Sequence, residues 1–172
     1  MSAILPDITE DDAIRILGVF ITSIVDCEVV RGQDNRVPMP KGDFILMTPA
    51  GTSALSTNTD DSSQASKTVT RPTKFTIRID SYGAKANERA MAIATLLRDD
   101  YACQSFKNSG LDIQPLYAGD AIQMPLISGE QQYVERWTFE AVLQYNPTLT
   151  VAQDSADTLT VGLINVDADY KP

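Results

Sequence analysis

Apolar and polar residues alternate almost without fault along Gln131–Asn146, QQYVERWTFEAVLQYN. Tyr133, Glu135, Trp137, Phe139, Ala141, Leu143 and Tyr145 fall on one side of an extended chain. Val134, Arg136, Thr138, Glu140, Val142, Gln144 and Asn146 fall on the other. Period-2 alternation marks a strand with one buried and one wet face. A run of this length is two to three times an ordinary strand. Thr73–Asp80 repeats the pattern, with Phe75, Ile77 and Ile79 opposed to Lys74, Thr76, Arg78 and Asp80. Thr158–Val166 repeats it again through Leu159, Val161 and Leu163. These two segments are the expected sheet companions of the long strand.

Helical periodicity appears twice. Thr9 offers an N-cap hydroxyl, and Glu10, Asp11 and Asp12 place carboxylates in the first turn, where the helix dipole favours them. Ala13, Leu17, Phe20, Ile21 and Ile24 then share a face, widened by Ile14, Ile16 and Val19, toward an end near Asp26. Beyond Gly83, the residues Ala86, Ala90, Ile93, Ala94 and Leu97 form a small-residue face suited to close packing on a sheet. A shorter helix is expected within Asp99–Asn108. Short strands are expected at Cys27–Arg31, Asp43–Pro49, Leu111–Tyr117 and Ala121–Leu126, and Pro147 should end the long strand. The predicted class is α+β: a mixed, mainly antiparallel β-sheet with two main α-helices packed on it.

Two segments stand outside this scheme. Gly32–Gly42 is a loop whose Pro38-Met39-Pro40 stretch must be extended. Thr52–Thr70 holds ten Ser or Thr and no aromatic residue. It is either a disordered loop or a long β-hairpin projecting with both faces wet. Residues 1–8 form an arm and residues 167–172 a polar tail around a single domain spanning 1–172.

Composition narrows function more than fold. The chain of 172 residues suits one domain with a proper core. Its N-terminus has no signal-peptide pattern, and its longest apolar run, Ile14–Val25, is interrupted by Arg15, Gly18 and Thr22, so no membrane span is expected. Cys27 and Cys103 lie outside any CxxC motif and are expected as reduced thiols in a cytosol. With 14 basic and 23 acidic residues the net charge is −9, which opposes a tight grip on nucleic acid. Like charge does suit a surface past which DNA must slide.

Histidine is absent, which removes Ser-His-Asp and Cys-His catalysis and the commonest zinc ligation. There is no GxGxxG and no P-loop. The carboxylate neighbours Asp11/Asp12, Asp60/Asp61 and Asp99/Asp100 read as helix starts, a loop tip and a helix end. No catalytic, metal or cofactor residue is assigned. On the long strand Arg136 and Glu140 share a face about 13 Å apart, too far to pair. Arg136 is instead expected to pair across strands, for example with Asp80. The candidate contact residues are Arg36 and Met39 in the first loop, Asp60 and Asp61 in the Ser/Thr-rich segment, and Glu135, Arg136 and Glu140 on the strand.

Several strings together resemble neck proteins of contractile-tailed bacteriophages, of the tail-terminator or neck-terminator type. They are Asn35-Arg36-Val37-Pro38-Met39-Pro40 with Asp43-Phe44-Ile45, Ser56-Thr57-Asn58, Tyr133-Val134-Glu135-Arg136-Trp137 running into Gln144-Tyr145-Asn146-Pro147, and Thr158–Asp167. The resemblance implies an α+β subunit that closes into a hexameric ring, caps the tail tube and faces the head-side connector. Tube, sheath and connector proteins would be its partners, and DNA would pass through its lumen without specific binding. It implies a virion protein assembled in the host cytoplasm, with no enzymatic activity and no cofactor. The competing readings are a head-completion, connector or tube-associated subunit of the same virion, and a small cytosolic binding module or carboxylate enzyme.

Overall fold

The computed structural model describes residues 3–33, 40–63, 65–127 and 133–154. Its fold is α+β. The main sheet has the order β1 (Glu28–Arg31), β2 (Phe44–Ala54), β5 (Thr73–Tyr82), β10 (Arg136–Tyr145), β6 (Ile113–Ala118), with β7 (Ile122–Gln123) pairing further along β10. β1 runs parallel to β2, and the other pairings are antiparallel. A second sheet joins β3 (Thr59–Ser62), β4 (Ser66–Thr70) and β11 (Thr148–Ala152) in the order β11-β4-β3. A third, two-stranded element pairs β8 (Leu126–Ile127) with β9 (Tyr133–Val134).

The centre is the β5–β10 ladder, ten residue pairs from Arg136↔Tyr82 to Tyr145↔Thr73. Its apolar side carries Phe75, Ile77, Ile79, Phe139, Ala141 and Leu143, all buried. The helices α1 (Glu10–Thr22), α2 (Ala86–Leu97) and α3 (Asp100–Lys107) complete the core with Leu17, Phe20, Ile93 and Phe106. The small-residue face of α2 is buried throughout, as the alanine spacing predicts.

α1 begins as its sequence dictates. The Thr9 hydroxyl accepts the Asp12 N–H (3.3 Å), and the Asp12 carboxylate accepts the Thr9 N–H (3.1 Å), a reciprocal capping box. Hydrogen bonding from the Thr9 side chain, then from Arg15, holds the Asp12 carboxyl below its ordinary value. The helix ends at Thr22, one turn before Asp26. Val19, expected to widen the apolar face, is 65% exposed, while Phe20 beside it packs on Tyr101 and Phe106 of α3.

Asp26 serves a corner instead. The buried Arg89 guanidinium donates to Asp26 (2.9 Å) and pairs with Asp43 (2.9 Å), joining the chain beyond α1 to the start of β2. Asp43 also accepts the Ala84 N–H (3.3 Å). Gly83 turns the chain there at φ +105°, and a Cβ at that position would collide with the Asp43 carboxylate. Only glycine meets both demands.

Three expectations need correction. The long strand is broken: β10 covers Arg136–Tyr145, and Tyr133–Val134 leaves the sheet to pair with β8. The break falls at Glu135, whose carbonyl accepts the Gly83 N–H where β5 ends, so the chain beyond has no ladder to continue. Ala121–Leu126 is two short pieces, β7 and β8, rather than one strand. Past Pro147 the chain forms β11, a strand the stop signal of proline hid. The predicted strand Thr158–Val166 lies outside the described residues. The arm at 1–8 is anchored at its end: Ile8 is buried, and Asp7 exchanges two hydrogen bonds with Thr148 on β11.

Candidate assembly surfaces

Helices cover one face of the main sheet and leave the other to polar rows. On that second face Thr138 stands opposite Asp80, Glu140 opposite Arg78, and Gln144 opposite Lys74. Asp80 is completely buried. Arg136 grips one of its oxygens through Nε (3.1 Å) and Nη2 (2.8 Å), and Arg78 Nε takes the other at 3.2 Å. This is the cross-strand partner the alternation pattern pointed to for Arg136. A buried carboxylate needs such partners, because its desolvation cost is repaid only by well-formed charged hydrogen bonds. The Arg136 guanidinium also lies over the Tyr82 ring, which stacks on Phe44 at 4.5 Å. Burial pushes the Tyr82 phenol up, against the opposing pull of Arg136. Arg136, Thr138, Glu140, Arg78, Ile122 and Met124 line a groove of about 540 Å³ on this face.

The predicted contact residues divide sharply. Arg136 is half-buried and belongs to the ionic cluster, while Glu140 is exposed at the groove rim. Glu135 lies at the strand break, and its carboxylate accepts the Trp137 indole N–H at 2.9 Å. It thus keeps to the side of Trp137, as the register predicts, and its charge is accommodated by that bond at the sheet's end. Asp60 and Asp61 sit on exposed β3, Asp60 in an ion pair with Lys67 of β4 (2.9 Å). Arg36 and Met39 lie outside the described residues. The structure therefore places Arg136 and Glu140 on β10, leaves Glu135 at the break just before it, and sets Asp60 and Asp61 apart, on the second sheet.

The Ser/Thr-rich segment is a hairpin rather than a loop. β2 runs on to Ala54, the chain turns, and β3 and β4 pair over four positions. β11 then flanks β4 over five positions, including a Thr70–Thr148 hydroxyl contact at 3.2 Å. Threonine suits such a two-sided wet ladder because its branched stem favours extended backbone while its hydroxyl stays solvated.

Sequence reasoning missed an apolar surface. Ile122, Met124, Leu126, Ile127 and Tyr133 are all exposed around β7, β8 and β9. The signal was available: Ala121–Ile127 carries no charge in a chain that is 22% charged. A contiguous apolar exposure of this kind marks an interaction site more often than chance.

Among the described residues no group of three or more Cys, Asp or Glu lies where it could hold a metal, and Cys27 and Cys103 are free and half-buried. No helix of the described residues is long and apolar enough to cross a membrane. Compared with known proteins, residues 11–169 match the family model described as phage neck terminator protein. No curated protein matches the chain.

Proposed function

The chain belongs to the phage neck terminator family, and on that premise we propose that it is the ring-forming subunit that closes the tail tube and joins it to the head-side connector. It is a structural protein of the phage neck. The observation that carries the finer reading is the family match over nearly the whole chain, from 11 to 169. Three surface features support it: a sheet face free of helices, an exposed apolar arm and a projecting polar sheet. A subunit that works alone has little use for all three, whereas one in a ring between two other rings needs contacts on several sides.

The ring is hexameric in this reading, and DNA passes through its lumen without specific contact. The acidic balance favours passage, since a lumen of like charge offers the phosphates no traps. The protein performs no catalysis and requires no cofactor. Its assembly takes place in the host cytoplasm, with tube and sheath proteins on one side and the connector on the other. The β3–β4 hairpin reaches to a neighbouring subunit, the tube or the connector.

Negative-stain microscopy of the purified protein, alone and bound to isolated tail tubes, tests this reading. Closed rings with sixfold symmetry, seated on tube ends, are expected. Decoration along the whole tube or sheath, with the ends bare, would exclude a terminator in favour of a tube-associated subunit.

A further inference from the structure

The second sheet continues the main one strand by strand. β2 leads into β3, β4 into β5 and β10 into β11, and the order β3-β4-β11 repeats β2-β5-β10. The ladders are nevertheless interrupted along one line. The main ones end at Ala54↔Thr73 and Tyr145↔Thr73, and the second ones begin at Thr59↔Thr70 and Thr148↔Thr70. One backbone bond bridges each gap: the Leu55 N–H donates to the Pro72 carbonyl (2.9 Å), and the Arg71 N–H to the Pro147 carbonyl (3.0 Å). In both pairs the residue whose N–H would return the bond is a proline, which has none. The Arg71 carbonyl accepts the Thr73 hydroxyl instead (2.9 Å). Beyond this line no side chain of β3, β4 or β11 joins the hydrophobic core, and no helix or main-sheet strand makes more than marginal contact with them.

We propose that the second sheet is a hinged flap, which turns about the Pro72–Pro147 line and closes over the groove beside it. That groove, about 320 Å³, spans the joint: Pro6, Ile8, Glu10 and Tyr145 line it from the body, Arg71 and Pro147 from the joint, and Leu149 from β11. Leu149 is 37% exposed. The register sets Val69 directly opposite it and Val151 two residues along, both half-buried, so the sheet turns a short apolar row toward the groove. Closure buries this row against Pro6, Ile8 and Tyr145, and the apolar area removed from water drives it. Glu10 and Arg71 carry opposite charges, so a matched pair rather than a lone ion goes under the flap. Asp7 holds the N–H and carbonyl of Thr148, the first residue of β11, and so fixes the axis while leaving the far end free. A sheet with little packing and two half-made rungs at its root is the kind of element that moves as a unit. The device belongs to the single chain and stands whether or not a ring forms.

Double electron–electron resonance on the full chain tests this. Spin labels are placed on Asp61→Cys of β3 and Arg15→Cys of α1, both exposed, with Cys27→Ser and Cys103→Ser removing the native thiols. An excess of unlabelled wild type keeps a second labelled copy out of range. Arg15→Cys with Lys107→Cys, both on helices, is the rigid control. The flap pair should give a distance distribution about twofold broader than the control, with a distinct short-distance population from the closed flap. Pro147→Ala supplies the N–H missing opposite the Arg71 carbonyl and should narrow the distribution to the control width. Leu149→Asp should remove the short population and keep the breadth. Circular dichroism confirms that each variant folds; Pro72→Ala, which restores the rung with Leu55, and Leu149→Ser replace any that does not. A flap distribution as narrow as the control overturns the proposal, and so does a breadth that the added rung leaves unchanged. A short population that survives Leu149→Asp overturns closure onto this groove. None of these results bears on the neck reading, which is judged on tube ends.

Discussion

At one end of the β5–β10 ladder the chain adds a three-stranded sheet rich in Ser, Thr and Asp; at the other it adds two residue pairs of Leu, Ile, Tyr and Val. The polar addition satisfies itself. Its backbone is paired along β4 on both edges, its hydroxyls meet water, and Asp7 pins β11 to the start of α1. The apolar addition satisfies only part of its backbone and leaves its side chains wet. Polar extensions of this kind can project as finished structures, whereas apolar ones are unfinished until something covers them. One end offers hydrogen bonding and shape, and the other offers area to bury.

Removing Ser56–Ser66 is the most drastic way to break this comparison. The main sheet and helices should persist, with unchanged far-ultraviolet helix signal, while joining of tails to heads in an in vitro assembly assay is lost. Normal rings together with normal joining would mean that the polar end has no contact role. Next in size is Arg136→Met, at the apolar end. It leaves the buried Asp80 with only Arg78, and stability should fall by about 3 kcal/mol in urea unfolding, the scale of a broken buried ion pair. A loss within the error of the measurement would show that water reaches Asp80 from the groove.

A smaller effect sharpens the polar end. Thr9→Ala should cost about 1 kcal/mol through the lost N-cap. The same box predicts a pH dependence. Asp12 is held below its ordinary value in the fold, so its contribution is full above the ordinary carboxylate range and fades as pH falls through the lowered value. Thermal unfolding of wild type should therefore lose stability in acid more steeply than that of Asp12→Asn. Identical acid slopes would remove the box from the account. Smallest of all, Lys67→Ala breaks an exposed ion pair with Asp60 and should change stability by no more than about 0.5 kcal/mol. A larger loss would mean that the hairpin depends on charge rather than on its backbone ladder.

Much of the fold was legible in local pattern. Alternation placed β5 and β10, alanine spacing placed the buried face of α2, and Thr9 with Asp12 placed the start of α1, because each depends on near neighbours in sequence. The partnership of Arg136 with Asp80 followed from facing two alternating strands. What escaped depended on distant partners. β11 follows a proline that ends β10, and it exists because β4 lies ready to pair with it. The break at Glu135 is set by where β5 turns at Gly83, which no local signal near Glu135 records. Val19 obeys the helical period yet faces water, since the width of the covered face is decided by the elements packed against it, β1 and α3. Of the candidate contacts, the charged residues on β10 were found by pattern. The apolar arm was overlooked because a charge-free run reads as buried strand until its exposure is known.

The central ladder also constrains how the protein is made. Every rung joins β5, in the first half of the chain, to β10, in the second. While a ribosome has delivered only the first half, Phe75, Ile77 and Ile79 lie on a strand whose later partner does not yet exist. β2 can pair with one edge of β5, but the other edge stays open until β10 emerges. Long-range pairing of this kind is slow, and an open edge in a nascent chain is a template for wrong partners. The newly made chain is therefore most vulnerable during synthesis, before β10 arrives to close that edge.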